Sequence, residues 1–354
     1  MKILAINSSA RSGGQSKTEM MLTALVKGMR EAGAEVEVVN LRQKNVKYCI
    51  GCFTCWTKTP GRCVHKDDMT NELFPKWLES DLVIHATPLY HYTMNAAMKT
   101  FIERTLPVNM PFFEERNGVT SHPPRHTQPS VVMISVAGFP EKSVFNQLKS
   151  YANYLFHDRL VAEIYRPAAE FMTSGLFMEE TRDILEATEQ AGRELVKSMK
   201  ISPETMARIT QPVGDFESIA PMGNLMWKTC IAEGVTPKEF NQKGMIPRPD
   251  SIDTFMTILK IGFNPEAAGD MKGVFQFNFS SEVEGSCHFI IDRGNIEAVS
   301  GQSENPDLTI EAPFEVWMDI MTNKADGQEM LVQQKYRTDG DLALLMRMNQ
   351  LFGR

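Results

Sequence analysis

The chain has 354 residues, 42% of them aliphatic, aromatic or Cys, so it is long enough for two domains and apolar enough to bury a core in each. Its 37 Lys and Arg against 44 Asp and Glu leave a net charge of −7, which excludes a protein coated in positive charge for nucleic acid or anionic membranes. The opening Met1-Lys2-Ile3-Leu4-Ala5-Ile6-Asn7 has too short an apolar run for a signal peptide, and no stretch reaches the ~18 apolar residues of a membrane helix. These readings predict a soluble, cytoplasmic protein with no nucleic-acid partner and no integral membrane association.

In chain order, short apolar runs predict strands at 3–6, 35–39, 81–86, 130–136 and 161–165. Helical patterns alternate with them at 17–31, 68–79, 95–105, 143–156 and 179–200. Continuous apolar strands alternating with amphipathic helices indicate a parallel sheet covered on both faces, a doubly wound α/β domain over 1–200. The segment 107–129, with Pro107, Pro111, Pro123, Pro124 and Pro129, breaks the alternation and reads as a lid or an oligomer-contact loop. Residues 201–252 read as a helical connector, ending in the stiff Ile246-Pro247-Arg248-Pro249. From 253 to 354 the pattern becomes strands in sequence (274–279, 287–292, 296–299, 307–310) followed by helices at 313–322 and 340–351. That order predicts an α+β domain with an antiparallel sheet.

The first βα loop, 7–17, joins the carboxyl end of strand one to the amino end of a helix, where backbone amides, hydroxyls and the helix dipole favour an anion. It spells neither a Walker A loop nor G-x-G-x-x-G, and a capping turn with no ligand accounts for its Ser and Gly equally well. The loop resembles the S-P-R-x-x-G-N-T phosphate loop of the flavodoxin-like NAD(P)H-dependent FMN reductases, with Ser9, Arg11, Gly14, Gln15 and Ser16 at matching positions and Ala10 and Gln15 as departures. A second segment, Pro88-Leu89-Tyr90-His91-Tyr92 with Met94, Lys99, Phe101, Ile102, Glu103 and Arg104, resembles that family's signature after strand three. The resemblance implies FMN bound on three strand-end loops. Pro88, Leu89 and Tyr90 would contact the ring, Lys99 and Arg104 would be structural, and Ser135 and Gly138 would lie on the third loop. It also implies a sheet order of 2-1-3-4-5, with ligands beside the topological switch point.

Four of the six cysteines, Cys49, Cys52, Cys55 and Cys63, fall in one loop as C-x2-C-x2-C-x7-C, which points to metal or redox chemistry rather than a disulfide framework. The spacing suits a [4Fe–4S] cube; a redox disulfide or free thiols, and zinc, are the other readings. It resembles the compact cluster motif of the iron–sulfur flavoproteins, a branch of the same family, and Asp67-Asp68-Met69 follows as in related reductases with a similar Cys stretch and no established cluster. Cys230 and Cys287 read as buried small hydrophobes. His85 reads as packed in the sheet, His91 as a residue that could orient a substrate, and His122 and His126 as surface or interface residues.

Residues 253–353 resemble the sterol carrier protein family through 275–279, the hairpin at Gly294, Pro306-Asp307-Leu308-Thr309-Ile310, the helix 314–321, Lys324-Ala325-Asp326 and Gly340-Asp341-Leu342. The resemblance implies an apolar tunnel. Met318, Met321, Met330, Met346 and Met348 read first as core and second as the lining of a pocket for a hydrophobic ligand.

The combined reading is an FMN-dependent NAD(P)H oxidoreductase that passes electrons from a reduced nicotinamide or a protein donor through FMN and a [4Fe–4S] cluster to a small-molecule or protein acceptor. No side chain is assigned as catalytic, because the flavin carries the chemistry. Two alternatives stay open: a cluster-free quinone or FMN reductase, and a lipid-binding carrier with a flavodoxin-like assembly or redox-sensing domain. A homo-oligomer is expected.

Overall fold

The computed structural model describes residues 1–116, 118–173, 177–214 and 216–352, and the chain divides into two compact units, Met1–Asp215 and Phe216–Arg354. In the first unit the strands β1 (Lys2–Asn7), β2 (Glu35–Asn40), β3 (Leu82–Tyr90), β4 (Ser130–Val136) and β5 (Leu160–Arg166) form one parallel sheet. Its order is β2-β1-β3-β4-β5, the flavodoxin-like order expected from the sequence.

Strand side chains alternate between two faces, and each face meets its own helices. Leu4, Ile6, Val83, Val131 and Met133 pack under α2 (Phe74–Leu78), α3 (Ala96–Glu103) and α4 (Asn146–Phe156), through Trp77, Phe101 and Leu148 among others. A π-helical turn, Met69–Leu73, leads into α2. On the other face lie α1 (Lys17–Glu31) and α5 (Met178–Ser198), whose buried stripes include Met21, Leu25 and Met29, and Ile184, Ala187, Ala191 and Leu195. The sheet is therefore covered on both sides, as continuous apolar strands require. Beyond α5, α6 (Pro203–Ile209) ends over a fully buried Arg166, which donates to the carbonyls of Ile209 at 3.0 Å and Gln211 at 2.6 Å. Burial lowers the Arg166 pKa to about 10, and the helix-end carbonyls are what this guanidinium gains in place of water.

The 107–129 segment is not without structure: it carries a short hairpin, Glu114–Arg116 against Val119–Ser121, and an isolated bridge from Asn109 to Pro124.

In the second unit β6 (Lys272–Ser280), β7 (Gly285–Asp292), β8 (Asn295–Ser300), β9 (Leu308–Pro313) and β10 (Arg337–Gly340) form a sheet of order β8-β7-β6-β9-β10. The sequence predicted an antiparallel sheet, but β9 pairs with β6 in parallel. The reason is that 301–307 carries the chain past two strands to the free side of β6, so β9 starts beside the same end as β6. Phe275, Phe277 and Phe279 alternate inward along β6; Phe277 and Phe279 meet Phe255, Phe289, Phe314 and Trp317 in edge-to-face contacts with ring centroids 5.0–5.7 Å apart, and Phe275 meets Phe352 edge-on at 6.3 Å. Met318 is fully buried in this core, Met321, Met330 and Met348 pack against it, and Met346 is exposed. Among the described residues no helix is long and apolar enough to cross a membrane.

Candidate functional site

Three loops leave the carboxyl ends of β1, β3 and β4 side by side, at the point where the sheet order reverses. The first is braced from inside. Asn7 accepts from the Ser9 amide at 3.0 Å, the Ser9 hydroxyl accepts from the Arg11 amide at 3.3 Å, and Ser16 Oγ donates to Ser9 Oγ at 2.8 Å. Ser16 is also the N-cap of α1, accepting from the Glu19 amide at 3.0 Å. Asn95, the N-cap of α3, donates to the Ser8 carbonyl at 2.7 Å and so ties the second loop to the first. Gly13 and Gly14 take φ of +65° and +80°, which favours glycine, and this turns the loop's amides outward. Among the described residues the amides of Ser12, Gly13, Gly14, Ser16 and Lys17 donate to no protein acceptor. Unpaired amides at a helix amino end are the donor set of an anion site.

Two cations stand at this cradle. Arg11 is half exposed, whereas the Lys17 side chain is only 9% exposed, so burial lowers its pKa, with Glu170 opposing that and Arg11 adding to it. Glu170 lies in the turn after β5, 2.5 Å from Arg11 Nη1 and 3.8 Å from Lys17 Nζ. Gln15 is half-buried beside the exposed Gly14. Sequence reasoning missed Lys17, Asn95 and Glu170 as site residues: Lys17 was visible in the loop, but Glu170 is 159 residues from Arg11 and carries no local signal.

Pro88 and Leu89 are half-buried and Tyr90 is exposed at the end of β3. His91 and Tyr92 then turn the chain with φ of +46° and +65°, pairing Tyr90 with Thr93 and Leu89 with Met94. Positive φ at two bulky residues is strained backbone, of the kind that collects at ligand-binding turns. A cleft of about 290 Å³ opens here between Leu89, His91 and Tyr92 on one side and Ala137, Gly138 and Phe139 on the other. Gly138 thus lines the cleft with the second loop. Ser135 instead lies inside β4, fully buried, its hydroxyl without a partner among the described residues.

The cysteine loop is closed at its stem by hydrogen bonds and one buried ion pair. Asp67 accepts from the Lys47 amide at 3.0 Å and Asp68 from the Asn45 amide at 2.7 Å. Arg104, 1% exposed, makes a two-pronged contact to Asp67 at 2.7 and 3.0 Å and also donates to the Lys47 carbonyl and to Thr70 Oγ1. Its tie therefore spans both ends of the loop. Within the loop all four cysteines are free; Cys55 is buried, Cys49 and Cys63 are half-buried and Cys52 is exposed. Burial raises the Cys55 pKa, and the charges of Cys63, Cys49 and Cys52 raise it further, so the four sulfurs share one neighbourhood. Hydrogen bonds from Thr54 lower that of Cys52. Among the described residues no three Cys, His, Asp or Glu converge closely enough to hold a single metal ion. The Pro-rich insertion leans on this loop: His122 packs on Trp56 with ring centroids 4.7 Å apart, while its Nδ1 meets the Phe112 carbonyl at 2.9 Å. His126 is exposed.

His85 is packed in the sheet between Phe101 and Phe156, and burial, then Arg159, pushes its pKa down to about 3, so the ring is neutral. Cys230 and Cys287 are both buried, the latter thiol pushed up to about 12 by burial.

Residues 1–148 match the family model for NADPH-dependent FMN reductases, and residues 259–353 match that for the SCP-2 sterol transfer family. An iron-sulfur flavoprotein of Archaeoglobus fulgidus is 45% identical over 107 residues, 30% of this chain and 46% of that protein. Another, from Methanocaldococcus jannaschii, is 26% identical over 176 residues, 50% of this chain and 83% of its own length. The chain thus spans about half the length of the Archaeoglobus relative. A solved NAD(P)H:quinone oxidoreductase from Methanothermobacter marburgensis is 18% identical with a TM-score of 0.40, covering 55% of this chain and 94% of its own. The amino-terminal part is accordingly related to FMN reductases and iron–sulfur flavoproteins, and the carboxy-terminal part to sterol carriers, as their motifs implied.

Proposed function

We propose that the protein is an FMN-dependent NAD(P)H oxidoreductase of the iron–sulfur flavoprotein type. The observation that carries this reading is the set of free amides and two cations on the first loop, beside a cleft walled by the second and third. The amides of Ser12, Gly13, Gly14, Ser16 and Lys17, with the Arg11 and Lys17 side chains, would hold the flavin phosphate; Pro88, Leu89, Tyr90 and Gly138 would flank the ring. Bound FMN would accept a hydride from a reduced nicotinamide and release electrons singly. The chain's own work is to orient the ring between the loops and to neutralise the phosphate with the first loop's amides and cations.

Cys49, Cys52, Cys55 and Cys63 would hold a [4Fe–4S] cluster that carries those electrons one at a time. The C-x2-C-x2-C-x7-C spacing and the likeness to iron–sulfur flavoproteins support the cluster. The electron acceptor is a small molecule or protein, and a homo-oligomer is supported by the exposed Tyr48, Phe53, Phe112 and Phe113. Six free cysteines support a reducing, cytoplasmic setting. The carboxy-terminal unit would take a hydrophobic ligand, on its match to the sterol-transfer family, once the rings around Phe277 part to admit it.

The test is anaerobic purification with flavin, iron and acid-labile sulfide analysis. One FMN with about four irons and four sulfides per chain is the expected result. Flavin without iron would reduce the reading to a cluster-free quinone or FMN reductase, and a flavin-free chain would remove the oxidoreductase. Cys52→Ser should abolish iron binding and leave FMN in place, because Cys52 is exposed and contributes nothing to the core.

A further inference from the structure

One carboxylate sits where the first and third loops meet. Glu170 belongs to the 3₁₀ turn Ala169–Thr173, and that turn is pinned to the third loop: the Ala169 amide donates to the Ala137 carbonyl at 2.8 Å and the Ala168 amide to that of Phe139 at 2.7 Å. The Glu170 Cγ lies 3.7 Å from where a Cβ on Gly138 would stand. From there its two oxygens face Arg11 and Lys17, one each. These are the cations that stand at the free amides of the first loop. Lys17 is too buried for water to screen its charge fully, whereas Glu170 is about half exposed and can swing to solvent at small cost.

On the reading above, these cations serve a phosphate. A phosphate monoester carries about −1.5 to −2 charges at neutral pH, against −1 for the carboxylate, and offers three acceptor oxygens where the carboxylate offers two. We propose that Glu170 is an internal counter-anion that competes with the flavin phosphate for Arg11 and Lys17, so that it holds the two cations paired until a dianionic phosphate monoester displaces it, and by competing it lowers the affinity for that phosphate. Neutral ligands do not displace it. Singly charged anions gain little by doing so, since they replace one charge by an equal one. The dianion wins because it matches both cations at once and also takes up the amides that the carboxylate does not reach.

The experiment uses the full chain and its Glu170→Gln variant, which keeps the size of the side chain and removes the competing charge. Affinities for FMN and for riboflavin are measured by quenching of flavin fluorescence at low and high salt. E170Q should tighten FMN about three- to fivefold at low ionic strength and less at high salt, the size expected for a half-exposed charge contact, and should leave riboflavin unchanged. Weaker FMN binding would overturn the proposal by making Glu170 a brace for Arg11. Equal tightening of both flavins, or FMN affinity within twofold of wild type, would overturn it as well. A wild-type chain that binds neither flavin would overturn the oxidoreductase reading and this inference with it, whereas FMN binding indifferent to E170Q would overturn this inference alone.

Discussion

Arg104→Gln is expected to cost about 3–5 kcal/mol of stability, the usual penalty for leaving one half of a buried ion pair alone. Asp67 is almost fully buried, and Arg104 supplies the two-pronged contact that compensates its desolvation. The loss should be read in chemical denaturation on the transition of the first unit, as a lower midpoint with little change of slope. Asp67→Asn in the R104Q background should recover part of it, because a neutral amide no longer demands a cation. A double-mutant cycle showing coupling below about 0.5 kcal/mol would make the contact incidental.

The same pair gives a pH dependence with a fixed sign. Burial alone would raise the Asp67 carboxyl, but the Arg104 guanidinium and the amides of Lys47 and Thr70 outweigh it and hold it well below the usual carboxylate range. A depressed native pKa adds stability above the unfolded value near ~4 and loses it as pH falls toward the native value. Wild-type stability should therefore fall on acidification below about pH 4 by more than that of Asp67→Asn. Because Asp67 and Lys47 flank the cysteine loop, R104Q should also lower iron content while FMN binding on the other loops persists.

Much of this architecture was legible from local pattern. Ile3-Leu4-Ala5-Ile6 and Val131-Val132-Met133-Ile134 are continuous apolar runs because both faces of the sheet are covered, and that alone implied the doubly wound fold. The loop from Asn7 to Lys17 was legible because its donors are contiguous. What stayed hidden depends on contacts across long stretches of chain. Glu170 meets Arg11 only after five strands are in register, and Arg104, visible as a signature position, gives no sign that its partner is Asp67. The β6–β9 pairing is parallel because of where a seven-residue connection crosses, which side-chain alternation cannot encode. The likeness to a tunnel-bearing family likewise could not reveal that Phe255, Phe277, Phe289 and Trp317 pack against one another in this chain.

The packing of α1 against α5 yields the second large effect. α1 and α5 cross at Gly28 and Gly192, where each glycine faces the other helix's backbone. A Cβ on Gly28 would press into the Glu189 carbonyl, with the Glu189 Cα 3.0 Å away, and one on Gly192 would overlap the Leu25 carbonyl and lie 2.9 Å from the Met29 amide. Backbone cannot rotate aside as a side chain would, so the helices must separate. Alanine in a helix interior gains about 1 kcal/mol over glycine by propensity, yet overpacking of this kind costs about 1–3 kcal/mol or more. Gly28→Ala and Gly192→Ala should each be destabilising by about 2 kcal/mol net, and Gly28→Val by more. Gly262, where an added Cβ meets nothing nearer than the Phe352 carbonyl at 3.6 Å, is the control: Gly262→Ala should be neutral or slightly stabilising. The effect at Gly28 reaches the ligand too, because α1 presents Ser16, Lys17 and the free amides from its amino end. Displacing that helix moves the phosphate donors away from the second and third loops, so FMN affinity should fall in Gly28→Ala under conditions where the variant remains folded. Equal stability of Gly28→Ala and wild type would mean that α1 and α5 do not approach this closely in solution.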